Sequence, residues 1–221
     1  MKKYLPLILV GVGLLILGGV IFAIVRNSKN KAPETTVENI PELPQSQWPV
    51  VTLAPTNNPG VNGSDGHWLD FKVQKINVPG AASMDYLLVY STSDGGQQGV
   101  PGAVKLIGGD IEKKLLLGSE SSGKFRYDAG VERGTMTITF RGANGKSMGK
   151  LSTDFHLQSG VTELTSVDGK FMYTLDKAAK GVFFITMPTF VQPKVSEYVF
   201  WQNGYGVFAS DGKPHSGKVA Q

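Results

Sequence analysis

TMTITFRGANGKSMGKLSTDFHL, residues 135–157, is the stretch whose reading decides the fold. In its first part Met136, Ile138 and Phe140 recur at every second position, with threonines between them. In its last part Leu151, Phe155 and Leu157 share one face in the same way. Successive side chains of an extended chain point to opposite faces, so this period of two, rich in β-branched and aromatic residues, marks two half-buried strands. Asn144-Gly145 lies between them. That dipeptide tolerates the positive φ of a tight turn, so the two strands are expected to form a hairpin.

The pattern continues on both sides. Strands are predicted at 68–73, 86–91, 103–107, 115–117, 125–127, 171–175, 182–187, 198–201 and 205–209. Turn residues separate most of them: Pro79-Gly80, Asp94-Gly95-Gly96, Gly108-Gly109, Asp168-Gly169, Asn203-Gly204 and Asp211-Gly212. Only residues 110–117 carry a helix signal, with Asp110 as a cap and Ile111 four residues before Leu115. Short strands at this spacing predict an all-β fold, an immunoglobulin-like β-sandwich. Phe125, Tyr127, Phe140, Phe155, Phe171 and Phe183 are its expected core aromatics.

Upstream, residues 4–25 (YLPLILVGVGLLILGGVIFAIV) contain no charge. A helix of that length spans the roughly 30 Å hydrocarbon core of a bilayer, and a soluble helix would not be apolar on every face. A cleaved signal peptide has a shorter apolar run and ends in a small-x-small site, whereas this run ends in Phe22-Ala23-Ile24-Val25-Arg26. A pilin helix would carry a glutamate near its start, and none is present in 4–25. Gly11, Gly13, Gly18 and Gly19 give no G-x-x-x-G spacing for dimerisation. The reading is an uncleaved single-pass anchor over 1–25. Basic residues flank it on both sides, Lys2 and Lys3 before it and Arg26, Lys29 and Lys31 after it, so charge alone does not orient it. The company of a stalk and a β-domain favours the C-terminal domain outside the cell membrane.

Residues 26–66 follow, with Pro33, Pro41, Pro44, Pro49, Pro55 and Pro59 among Thr, Asn, Ser and Glu. Proline fixes φ and removes a donor, so this segment is expected to be a flexible stalk reaching about 35 Å. The alternative is that Trp48 and the run Val50-Val51-Thr52-Leu53 already pack on the domain, which would then begin at 48 rather than 67.

The whole layout resembles bacterial surface proteins that carry an immunoglobulin-like or fibronectin-like domain on a stalked anchor. The resemblance is architectural. It implies an extracytoplasmic position and no particular ligand.

The 221-residue chain has no cysteine, which removes disulfides, thiolate nucleophiles and cysteine-based zinc sites. Its net charge of +4 is uneven. Residues 1–31 carry five bases and no acid, and the remainder carries 17 bases against 18 acids. The globular part therefore lacks the basic block that phosphate contacts need, and no nucleic-acid partner is expected.

An enzyme would need a centre. The three histidines, His67, His156 and His215, form no H-x-x-x-H or H-x-H pair. His67 sits at the stalk–domain junction, and His156 follows Phe155 on a strand and so faces away from it. All three are expected to be solvated or edge residues. Asp154 and His156 share one strand face, but a serine hydrolase also needs a nucleophile beside the imidazole. Ser119, Ser121 and Ser122 lie in a polar stretch without a G-x-S-x-G elbow. Ser83-Met84 with the Lys105 segment is superficially similar to type I signal peptidases. Tyr86 stands where that family has proline, Leu106 where it has arginine, and its glycine–aspartate–asparagine box is missing. Asp94, Asp168 and Asp211 precede glycines without a D-x-D-x-D pattern, so they are turn residues rather than calcium ligands.

Two surface features remain. Residues 91–102 (STSDGGQQGVPG) are expected to be a long loop, with Gln97 and Gln98 as binding candidates. The stretch 198–208 is dense in aromatics, and Trp201 and Tyr205 flank the Asn203-Gly204 turn. Exposed there, they could stack on sugars or anchor a partner; otherwise they close the core. The expectation is a non-enzymatic module that binds an envelope protein or glycan, without cofactor or metal. The alternatives are a structural accessory subunit of an envelope complex and, more remotely, a serine hydrolase.

Overall fold

The computed structural model describes residues 39–219. The expected anchor and the stalk up to residue 38 lie outside the described residues. Ile40–Gln221 form one compact unit. Its strands are β1 (Val50–Thr56), β2 (Trp68–Gln74), β3 (Ala81–Ser91), β4 (Gln97–Lys105), β5 (Ile111–Leu116), β6 (Gly118–Ser121), β7 (Lys124–Tyr127) and β8 (Arg133–Gly142). They continue as β9 (Ser147–Ser159), β10 (Glu163–Thr165), β11 (Met172–Leu175), β12 (Phe183–Pro188), β13 (Phe200–Gln202), β14 (Tyr205–Ala209) and β15 (Gly217–Val219). Single turns of 3-10 helix at Gln45–Gln47 and Val195–Glu197 are the only helical pieces among the described residues. No helix among them is long and apolar enough to cross a membrane. The domain is all-β, with its sheets arranged as in a β-sandwich.

The hairpin read from residues 135–157 forms the middle of a seven-stranded sheet, in the order β13-β14-β12-β9-β8-β3-β4. Met136, Ile138 and Phe140 face inward opposite Leu88, Tyr86 and Met84 of β3. On the other side Ile138 meets Leu151 of β9. Gly145 adopts φ +76° in the turn between β8 and β9. The second layer is the three-stranded sheet β1-β2-β5. Val51, Leu53, Leu69, Phe71, Val73 and Leu115 from that layer share one buried cluster with the inner face of the large sheet. Each fully buried Leu or Phe contributes about 1.5–3 kcal/mol relative to exposure, so this shared cluster is what fastens the two layers.

A second cluster forms on the outer face of the large sheet at its β12–β14 end. There Phe184, Val207 and Ala209 pack with Leu164, Phe171, Tyr173 and Leu175 from the small sheet β10-β11-β15. This unit is thus two layers thick over most of its width and three at one side.

Four expectations change. Residues 50–56 are not stalk. They form β1, paired with β2 from Val50↔Gln74 to Thr56↔Trp68, and Leu43 is already buried against the domain. Apolar burial of Val50, Val51 and Leu53 outweighs the proline signal, and Pro55 is tolerated because β1 is an edge strand. Of the two signals read at 110–117, the strand holds and the helix does not: residues 111–116 form β5. A spacing of four places Ile111 and Leu115 on one face in either conformation, and pairing with β2 selects the strand. Residues 97–102 are not loop but the first part of β4, because the long β3 offers a partner edge along its length. Phe125 and Tyr127 belong to neither core cluster. They sit half-buried on the short β6–β7 hairpin, where Phe125 meets Trp68 edge-on at 5.6 Å.

The antiparallel order defines two ends. The chain enters at the end where β1 begins, β2 finishes and the β8–β9 turn lies. Opposite it lie the start of β2, the β6–β7 hairpin, the segment leading to β8, the finish of β9 and the start of β12. Gly118 starts that hairpin at φ +153°, and a Cβ there would lie 2.2 Å from the Arg126 carbonyl oxygen. Only glycine permits so close a backbone crossing.

Candidate functional site

The end opposite the chain entry holds an open cleft of about 410 Å³. That volume falls in the range of ligand sites. His67, Asp128, Glu132 and His156 line it, with Val131, Leu157, Val161 and Phe183 as apolar wall. No lysine or arginine is among the lining residues.

Each side chain is positioned by a definite bond. His67 stacks on Tyr127 with ring centroids 4.6 Å apart and planes 13° from parallel. Asp128 is tied at Oδ2, which accepts a hydrogen bond from the buried Tyr90 hydroxyl at 2.9 Å. Burial, and then that bond, raises the Tyr90 pKa. Glu132 stands on the segment before β8, which the Leu157 amide holds by donating to the Glu132 carbonyl at 2.6 Å. Phe183 reaches the cleft by crossing Gly66, where a Cβ would lie 2.4 Å from its ring, and Gly66 itself has φ +73°.

His156 corrects the expectation of a solvated histidine. It does lie on the outer face of β9, opposite Phe155, yet only 8% of it is exposed. The strand β10 folds back over that face and the Thr165 carbonyl stands 2.8 Å from Nδ1. A carbonyl only accepts, so Nδ1 carries the proton and Nε2 presents a lone pair. Nε2 makes no hydrogen bond among the described residues. Burial lowers the His156 pKa, and the Arg133 charge adds to this against the Thr165 carbonyl and Glu132. Burial also lowers the pKa of His67, against the pull of Asp128 and Asp65. Both imidazoles are therefore neutral near pH 7.

Asp154 and His156 do not act as a pair. Asp154 accepts from the Thr135 hydroxyl at 2.6 Å, while His156 turns to Thr165. Ser119, Ser121 and Ser122 are exposed on the β6–β7 hairpin, outside the cleft lining. The register places Ser83 directly opposite Lys105. Lys105 is exposed, whereas a lysine base needs desolvation. No group of three or more metal-ligating side chains occurs among the described residues.

The aromatic candidates are placed differently. Trp201 pairs with Gly206 and Gln202 with Tyr205, so Trp201 and Tyr205 occupy opposite faces of the sheet and form no common platform. The Trp201 indole donates to the Thr189 hydroxyl at 2.8 Å. Tyr205 stacks on Phe171 at 5.2 Å and donates its hydroxyl to Asp168 at 2.7 Å. Burial, and then Asp168, pushes the Tyr205 phenol up to about 12. Gln97 and Gln98 are exposed at the start of β4, and Gln97 lines a shallow depression with Arg133, Thr135 and Asp154. His215 lies elsewhere, 3.0 Å from Asp211.

Sequence reading missed the cleft because its residues come from four separate segments. The signal that could have found it is Gly160 after a long strand, followed by a β-prone run that must fold back over His156. Comparison with protein-family models, curated proteins and solved structures finds no match.

Proposed function

We propose that this is a membrane-anchored, extracytoplasmic, non-enzymatic binding module, immunoglobulin-like in its two-layer core, that holds an envelope protein or glycan in the His67–His156 cleft. One observation carries the reading. The cleft opens at the end of the sandwich opposite the end where the chain enters. A segment that enters the domain at one end leaves the opposite end open to a ligand. The uncharged run 4–25 supports a membrane as that attachment.

The test uses the absence of native cysteine. Ile107, 93% exposed, is changed to cysteine in the full-length chain and treated in intact cells with a membrane-impermeant maleimide. Labelling before lysis places the domain outside. Labelling only after lysis removes the envelope reading.

The accessory-subunit alternative draws on the same tethered layout. It requires a partner at fixed ratio whose capture survives changes in the cleft and fails when the anchor is exchanged. The remote hydrolase alternative requires labelling by a serine-directed fluorophosphonate.

A further inference from the structure

We infer that the cleft receives the ammonium group and aliphatic stem of a lysine side chain from a partner protein. This rests on the cleft being the ligand site and names what the site recognises.

Three of the side chains that line the cleft, Asp128, Glu132 and His156, present acceptors. His156 Nε2 is a lone pair on a ring more than nine-tenths buried, and its tautomer is fixed from behind by the Thr165 carbonyl. Its position in the lining without a protein partner makes it a standing acceptor for a ligand. Asp128 gives one lone pair to the Tyr90 hydroxyl and retains its other oxygen. The Glu132 carboxylate has no hydrogen bond or ion pair among the described residues. Gln158, the amide in the lining, is already committed: it donates to the Glu163 carbonyl and accepts from the Thr165 amide.

Two carboxylates and a neutral imidazole, with no resident cation, make a site for a donor of positive charge. An ammonium offers three donors and no acceptor, so it brings no lone pair against whichever of these groups it meets. A metal ion is the poorer occupant, since no ligand group of three or more forms among the described residues. The wall selects the rest of the ligand. Val131, Leu157, Val161 and Phe183 provide apolar surface on which a four-carbon stem lies while its charged head meets the acids. Val161, 39% exposed, sits at the rim. Arg133, whose charge acts on His156, is its register partner and lines the separate depression by Gln97.

The experiment uses the full-length protein in nanodiscs with ¹³C-labelled histidine, since the chain has only three histidines to resolve. The probes are N-acetyl-trilysine amide, trilysine's acidic counterpart triglutamate, and the neutral glycan chitotetraose. Trilysine is expected to shift the His67 and His156 ring signals and leave His215 unmoved. Glu132→Gln, at an exposed position that does not threaten folding, should weaken that binding about five- to tenfold at low salt, with a further loss as ionic strength rises. Wild-type affinity in Glu132→Gln overturns carboxylate recognition. Shifts at His67 and His156 with chitotetraose or triglutamate instead of trilysine keep the cleft as a ligand site but overturn the lysine. No shift with any probe, while a native partner still cross-links elsewhere on the domain, overturns the cleft reading too.

Discussion

The aromatic hairpin β13–β14 and the histidine cleft are opposites in how they use their polar atoms. On the hairpin the hydroxyl of Tyr205 and the indole of Trp201 both donate to protein partners. In the cleft His156 Nε2 and the Glu132 carboxylate keep unused acceptors. Aromatic density reads in a sequence as a binding platform, yet here Phe200 and Tyr205 pack on the second core cluster, Phe208 lies in the first, and Trp201 is tied to Thr189. The cleft residues are individually plain in the sequence and become a site only when four segments meet. Side chains whose bonding is complete hold the fold, and those with bonding left over are available to a ligand.

This contrast can be broken by substitution. The largest effect is expected at Tyr205→Ala. It removes a ring stacked on Phe171 and the bond to Asp168, and should lower unfolding stability by about 2–4 kcal/mol in urea denaturation. A change under about 0.5 kcal/mol, the range of ordinary surface substitutions, would mean the ring is free after all. Gly66→Ala should come next, at about 1–3 kcal/mol, because it combines a left-handed φ with a clash on the Phe183 ring. Its histidine spectrum should show the cleft rearranged around His67, whereas that of Tyr205→Ala should not.

Tyr90→Phe tests the support beneath the cleft. Loss of the hydroxyl bond to Asp128 should cost about 1–3 kcal/mol by the same denaturation measurement. The smallest effect is in pH. His67 and His156 have lowered pKa values in the folded state, so below the unfolded value near 6.5 the unfolded chain takes up protons more readily. Their contribution to stability is intact above about pH 6.5 and declines as pH falls through the folded values. His156→Gln should flatten that decline below about pH 6.5, and an unchanged pH profile would show that burial does not hold the imidazole neutral.

Much of the fold was legible because its cause is local. Period two in residues 135–140 and 151–157 follows from the geometry of an extended chain, and Asn144-Gly145 from the sterics of a tight turn. β1 was legible only as an alternative, since Pro49 and Pro55 point one way and Val50-Val51-Thr52-Leu53 the other. Long-range burial decided between them. Ile111 and Leu115 were ambiguous because a spacing of four fits both a helix turn and a strand face. The site was not legible. The outward direction of His156 could be read from its strand, but its cover by β10 depends on where a distant segment returns. The pairing of Trp201 with Gly206, which parts it from Tyr205, is a matter of hairpin register that composition does not carry.

The most direct test of the central claim is site-specific photo-cross-linking in living cells from Val161, at the rim of the cleft, and from Trp201, on the aromatic hairpin. The account predicts an adduct from Val161, reduced in a Glu132→Gln background, and none above background from Trp201. An adduct from Trp201 with nothing from Val161 would contradict it, placing the binding surface on the hairpin and leaving the cleft without a ligand.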